Sequence, residues 1–179
     1  MRIIAGTHKG RRLKAPKWPG LRPTSDKLRE TLFNIIAARV PQARVLDVFA
    51  GSGAIGLEAL SRGASRAVFV EHDRRAVQLI EENATLCGVR ERCVIIRDAA
   101  GRALQNPIDG DPFDLVMLDP PYDFDALPEV IDTAARHLAP GGLLILEHAA
   151  RRPPPAVTAA HAVRTVRSGD SALTLFEVR

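Results

Sequence analysis

Apolar residues along the chain follow two alternating patterns. Short, nearly continuous apolar runs stand at 45–49, 67–71, 93–96, 115–118 and 143–147. Between them, apolar residues recur at helical spacing over 55–61, 73–86, near 100–104 and over 127–138. Ahead of the series, Leu28, Leu32, Ile35, Ile36 and Val40 mark one face of an amphipathic helix that Thr24 or Ser25 can cap and Pro41 ends. Strands that read as uninterrupted apolar runs are covered on both faces, as in a parallel sheet with helices on each side. The alternation therefore predicts a doubly wound α/β fold. The last two runs, 161–167 and 172–179, flank Ser168-Gly169-Asp170-Ser171 and predict an antiparallel hairpin at the end of the chain. Arg151 to Pro155 reads as a connecting loop.

Composition fits this picture. A chain of 179 residues with 46% hydrophobic residues and a net charge of +4 can bury one sizeable core, which argues against disorder. No run approaches the roughly 20 apolar residues of a membrane helix, and the residues before Gly6 are too few for a signal-peptide core, so a cytoplasmic, membrane-free protein is expected. Cys87 and Cys93 lack metal-ligand spacing and are expected as buried, reduced thiols. The five histidines are scattered, so neither a metal site nor a histidine base is assigned.

Charge is unevenly placed. Residues 1–25 hold seven basic residues and no acid, whereas residues 31–179 hold 16 basic and 19 acidic ones, a net of −3. Basic residues interleaved with Ile3, Ile4, Leu13 and Trp18 and with glycines suggest a hairpin arm for a polyanion, with nucleic acid the commonest one. Arg2, Lys9, Arg11, Arg12, Lys14 and Arg22 are the candidate nucleic-acid contacts, and Trp18 either stacks on a nucleotide or anchors the arm. The expected division is a basic arm over residues 1–24 and a main domain over 25–179.

Two motifs carry chemistry. Gly51-Ser52-Gly53-Ala54-Ile55-Gly56 follows a strand and opens a helix, with Glu71 twenty residues after Gly51 at the end of the next strand. That arrangement suits a ribose-bearing adenosine cofactor without saying which. Asp47, inside the strand just before the loop, would repel a pyrophosphate and welcome an ammonium group, which points to S-adenosylmethionine over a nicotinamide dinucleotide. Asp119-Pro120-Pro121-Tyr122 follows the fourth strand and faces the same crevice. The Asp119 carboxylate and the Pro120 carbonyl can each accept an N–H from an exocyclic amine and turn its lone pair toward a methyl donor. Tyr122, the chain's only tyrosine, can stack on a base swung out of its helix or loop.

Val45 through Gly53, together with the Asp-Pro-Pro-Tyr tetrapeptide, resembles the Rossmann-like, class I S-adenosylmethionine-dependent amino-methyltransferases. Arg2 to Gly6, Gly10 to Leu13, Arg22-Pro23-Thr24 and Arg29 to Asn34 narrow the resemblance to the bacterial 16S rRNA guanine-N2 methyltransferases. The likeness runs over nearly the whole chain and is weakest over 149–165. It implies a seven-stranded, mostly parallel sheet ending in the antiparallel hairpin, with the basic arm as a small extension contacting rRNA. It also implies Asp47, Gly51, Ser52 and Gly53 at the methionine end of the cofactor, Glu71 at the ribose, Asp98 and Ala99 at the adenine, and Asp119, Pro120 and Tyr122 as the catalytic set. The implied partner is 16S rRNA within a small-subunit particle or assembly intermediate, met by a monomer. A DNA adenine-N6 methyltransferase could use the same tetrapeptide, but 179 residues leave no room for a separate DNA-recognition domain. A non-catalytic RNA-binding protein on the same fold is the third reading.

Overall fold

In the computed structural model of the protein, which describes residues 1–18, 25–110 and 112–178, the apolar runs pair into one seven-stranded sheet. Its strands are β1 (Arg44–Val48), β2 (Arg66–Glu71), β3 (Cys93–Arg97), β4 (Phe113–Leu118), β5 (Leu138–Ala149), β6 (Ala160–Ser168) and β7 (Ser171–Val178). They lie in the order β3-β2-β1-β4-β5-β7-β6. The first five run parallel, and β7 runs antiparallel to both of its neighbours. The helices are α1 (Asp26–Ile35), α2 (Ala54–Ser61), α3 (Arg74–Cys87), α4 (Ala100–Ala103) and α5 (Leu127–Ala135).

Both faces of the sheet are covered over β1, β2, β4 and the second half of β5, which is why these strands are apolar at consecutive positions, whereas the edge strand β6 is largely exposed. On one face Val45, Phe69, Leu115 and Ile145 pack with Phe33 of α1, Leu57 of α2 and Ile80 of α3. On the other, Leu46, Val68, Val116 and Phe176 pack with α4 and with Ile131 of α5. Val48 is in register with Val70 and with Leu118, and Glu71 with Arg97. The chain thus leaves β1, β2, β3 and β4 along one edge, at Phe49, His72, Asp98 and Asp119.

Two element ends differ from the sequence pattern. Helix α1 stops at Ile35, and a 3-10 turn (Ala37–Arg39) replaces its last stretch. Ile36 leaves the helical region at φ −100°, and the tighter turn keeps both Ile36 and Val40 buried before Pro41. Helix α5 ends at Ala135, so Leu138 opens β5 opposite Phe113. Pro140, Gly141 and Gly142 cannot extend a helix favourably, and a register shift between Phe113 and Leu115 absorbs the irregular stretch. A Cβ on Gly142 would stand 2.9 Å from the Ala139 carbonyl oxygen and 3.0 Å from that of Phe113.

The N-terminal hairpin forms, but it is seated on the body. Ile3 N–H donates to the Arg11 carbonyl at 2.9 Å and Gly10 N–H to the Ile3 carbonyl at 2.9 Å, around an antiparallel bridge between Arg2 and Arg12. Glu58 of α2, wholly buried, accepts the Ile4 and Ala5 N–H groups at 2.8 and 3.0 Å. Ile3 and Leu13 enter the same core as α2 and α3. Arg22, Thr24 and the boundary expected at residue 24 lie outside the described residues. Ser25 caps α1 by accepting Leu28 N–H at 3.1 Å.

Candidate active site

The glycine loop is built by backbone conformation. Phe49, Gly51 and Gly53 have φ values of 63°, 55° and 77°, which turn the chain sharply from β1 into α2. Gly53 and Gly56 have a packing reason besides: a Cβ on Gly56 would lie 2.3 Å from the Phe69 ring, and one on Gly53 3.2 Å from Ile80. These two glycines let α2 sit down on β2 and α3. Phe49, read from sequence as the last residue of a strand, instead holds a left-handed conformation that costs an L-residue on the order of 1–2 kcal/mol. Its ring meets that of Phe124 edge-on, with centroids 5.2 Å apart, and so ties the glycine loop to the segment after the tetrapeptide.

Two carboxylates brace this loop from beneath. Asp47, 1% exposed, accepts the Gly56 N–H at 2.9 Å in the first turn of α2. Burial, together with the charges of Asp119 and Glu71, pushes its carboxyl up to about 8, against the opposing pull of the Gly56 hydrogen bond. Glu71 accepts the Gly51 N–H through Oε2 and the Asp73 N–H through Oε1, both at 2.9 Å. Glu71, expected at the ribose, thus also holds the glycine loop in place.

The remaining expected cofactor residues lie on the same edge. Ser52 is buried; its hydroxyl lies 3.5 Å from the Met1 sulfur and its carbonyl accepts from Asn83 at 3.0 Å. Asp98 and Ala99 follow β3, where Asp98 N–H donates to the Glu71 carbonyl at 3.2 Å. The Arg102 guanidinium beside Asp98 holds its carboxyl below the usual range.

Asp119 and the tetrapeptide start beside β1, with Asp119 N–H 3.4 Å from the Val48 carbonyl oxygen. Pro120 is buried, and Tyr122 is half-buried with its hydroxyl 2.8 Å from Ser171 Oγ. Ser171 in turn donates to Glu147 at 3.2 Å, and Arg152 donates to the Tyr122 carbonyl at 2.8 Å. Sequence reasoning missed Ser171 and Arg152, because nothing in the order of residues brings the β6–β7 turn to β4. Asn83 was missed too. Wholly buried on α3, it accepts Lys14 N–H at 2.8 Å and donates to the carbonyls of Lys14 and Ser52, joining the basic hairpin to the glycine loop.

Of the candidate RNA contacts, Arg2, Lys9, Arg11, Arg12 and Lys14 are exposed. Lys14 also pairs with Glu82 at 2.9 Å, and Arg11 donates to the Leu86 carbonyl. Trp18 lies under the Arg75 guanidinium at 4.9 Å, close to the start of α3. Cys87 and Cys93 are buried free thiols, with Cys93 pushed up to about 12 by burial. No group of three metal-ligating side chains occurs among the described residues, and no helix among them is long and apolar enough to cross a membrane.

A parallel sheet of this order with a C-terminal antiparallel hairpin defines the Rossmann-like methyltransferase fold, and here it gathers Asp47, Glu71 and Asp119 at the carboxyl ends of β1, β2 and β4. The chain belongs to the family described as conserved hypothetical protein 95, which matches residues 1–177. It is 47% identical over 133 residues to the ribosomal RNA small subunit methyltransferase D of Escherichia coli K12, covering 74% of this chain and 65% of that one. The match thus spans slightly less than two thirds of that relative's length. The Haemophilus influenzae protein of the same name is 38% identical over 150 residues, 82% of this chain and 78% of that one. Among solved structures, yhhF of Escherichia coli, assigned as a methyltransferase, superposes with a TM-score of 0.89 at 34% identity, covering 100% of this chain and 98% of that one. A hypothetical protein of Thermus thermophilus gives 0.82 at 34% identity, with 99% of each chain covered.

Proposed function

We propose that the protein transfers a methyl group from S-adenosylmethionine to the exocyclic N2 amine of a guanine in 16S rRNA, acting as a cytoplasmic monomer on a small-subunit particle or assembly intermediate. The observation that carries this reading is the placement of Asp119-Pro120-Pro121-Tyr122 on the same sheet edge as Asp47, Gly51 and Glu71. The names of the relatives support the choice of rRNA.

The donor set fits the cofactor. The crevice gathers Asp47, Glu71 and Asp119 closely enough that the latter two raise the carboxyl of the first. Such a site favours a cation and opposes a pyrophosphate. Asp47, Gly51, Ser52 and Gly53 would hold the methionine end, Glu71 the ribose, and Asp98 and Ala99 the adenine. When bound, S-adenosylmethionine supplies an electrophilic methyl on a sulfonium.

The chain's own residues prepare the acceptor. Asp119 carboxylate and the Pro120 carbonyl accept the two amine N–H groups, which draws the nitrogen lone pair out of conjugation with the ring. Proline rings on either side of the Pro120 carbonyl fix its direction. Tyr122, held by Ser171 and Arg152, offers its ring as a stacking surface for the base. The amine becomes acidic once methylated, so a strong general base is not required.

Transfer of labelled methyl to unmodified small subunits, naked 16S rRNA and duplex DNA in parallel, followed by nucleoside analysis, tests the reading. The expected product is N2-methylguanosine from an RNA sample, with Asp119→Ala slower by about 10²–10³-fold, as for loss of a positioned electrostatic partner. N6-methyladenine, or no transfer to any of the three, overturns it.

A further inference from the structure

The basic charge of this chain sits at two places, and the hairpin accounts for only one. Residues 31–150 hold 11 basic against 17 acidic residues, a net of −6. Residues 151–170 hold four arginines, Arg151, Arg152, Arg164 and Arg167, against the single acid Asp170, a net of +3. All four arginines are exposed. None forms an ion pair among the described residues, although Arg39, Arg44, Arg62, Arg66, Arg75, Arg90 and Arg102 do. Exposed guanidiniums left without internal carboxylates are available to an external anion.

Three of them adjoin the candidate active site, whereas Arg164, three residues before Arg167 in regular register, lies on the other face of β6. Arg152 donates to the Tyr122 carbonyl, and the β6–β7 turn that follows Arg167 supplies Ser171 to the Tyr122 hydroxyl. Ala150 N–H donates to the Asp170 carbonyl at 2.8 Å, so Arg151 and Arg152 adjoin that same turn. The tetrapeptide stands at the end of β4. The basic hairpin lies against α2 and α3, which cover the β1–β2–β3 side of β4, whereas the arginines belong to the β5–β7–β6 side.

We infer that Arg151, Arg152 and Arg167 form a second phosphate-binding rim, gripping the RNA backbone on the side of Tyr122 opposite the N-terminal hairpin. A strand that presents one splayed-out base to the tetrapeptide has backbone on both sides of that base. Two basic surfaces flanking one stacking tyrosine can hold both lengths of it. Arg152 then has two tasks: one guanidinium nitrogen braces Tyr122 while the others face outward. The inference rests on the proposed rRNA substrate.

The test is the salt dependence of binding to a 16S rRNA fragment, for wild-type protein and for Arg151→Gln/Arg167→Gln. Arg152 is left in place because of its contact with Tyr122. Each lost phosphate contact removes roughly 0.7–0.9 from the slope of log affinity against log salt, so the double variant is expected to lose about 1.5 and to bind about tenfold more weakly near physiological salt. Binding of S-adenosylhomocysteine and the melting temperature should be unchanged. Arg136→Gln, at the far end of α5 from the tetrapeptide, controls for net charge. An unchanged slope in the double variant, or an equal loss per charge in the control, overturns the rim. Wild-type protein that shows no salt-dependent binding to rRNA would overturn the proposed function itself, a separate outcome.

Discussion

At the scale of the residue, Asp47 decides the electrostatics of the crevice. Its carboxyl ionises near the ordinary value of 3.8 in the unfolded chain and at about 8 in the fold, chiefly through burial. Between those values the folded state holds a proton that the unfolded state has lost, so this group makes stability fall as pH rises from about 4 to 8. Asp73 works in the other direction. Its Arg75 partner and its helix-capping hydrogen bond hold it down to about 2, so its contribution is present above about pH 4 and is lost as pH falls toward 2. Thermal unfolding of the ligand-free protein at pH 5, 6.5 and 8 is therefore expected to show a decline with pH that Asp47→Asn flattens. Saturating S-adenosylmethionine should offset the decline in the parent, because a nearby ammonium favours the ionised carboxylate, and should do little for the variant. The position of Asp47 before the glycine loop was legible in the sequence. Its hydrogen bond to Gly56 and its raised titration were not, since both arise from the way α2 covers it.

At the scale of the element, the N-terminal hairpin and helix α3 meet through Asn83. This side chain is buried where no water competes, and it satisfies the backbone of Lys14 on one side and of Ser52 on the other. Asn83→Ala leaves those backbone groups without their partner, at an expected cost of about 2–3 kcal/mol. For a chain of this length that corresponds to a fall of about 5–10 °C in melting temperature, read by calorimetry. The same variant should weaken S-adenosylmethionine binding through Ser52, whereas a hairpin independent of the loop would leave cofactor affinity untouched. The pattern of basic and apolar residues was enough to anticipate the hairpin. It did not reveal Glu58 and Asn83 as the polar groups that seat it, because a carboxylate and an amide on helices α2 and α3 read as ordinary solvated positions until those helices are packed.

At the scale of the whole molecule, basic charge is concentrated in the N-terminal hairpin and in residues 151–170, while residues 31–150 are acidic. RNA binding is thus expected to depend strongly on salt. Lys9→Ala/Arg12→Ala, which removes hairpin charges without an internal ion pair among the described residues, should weaken rRNA binding and lower the salt slope by about 1.5 while sparing cofactor affinity. Filter binding across a salt series checks this, and an unchanged slope would assign the hairpin a purely structural role. The sequence by itself determined the succession of strands and helices, the parallel sheet with its antiparallel end, the glycine loop and the tetrapeptide, because each is written in local periodicity or contiguous residues. Tertiary structure alone decided which atoms meet: the Phe49–Phe124 contact, Glu71 turned back onto the loop, the Ser171 and Arg152 braces on Tyr122, and the end of α5 at Ala135. Those contacts join residues distant in the chain, and they follow from strand order and register, which a linear pattern of polar and apolar positions does not encode.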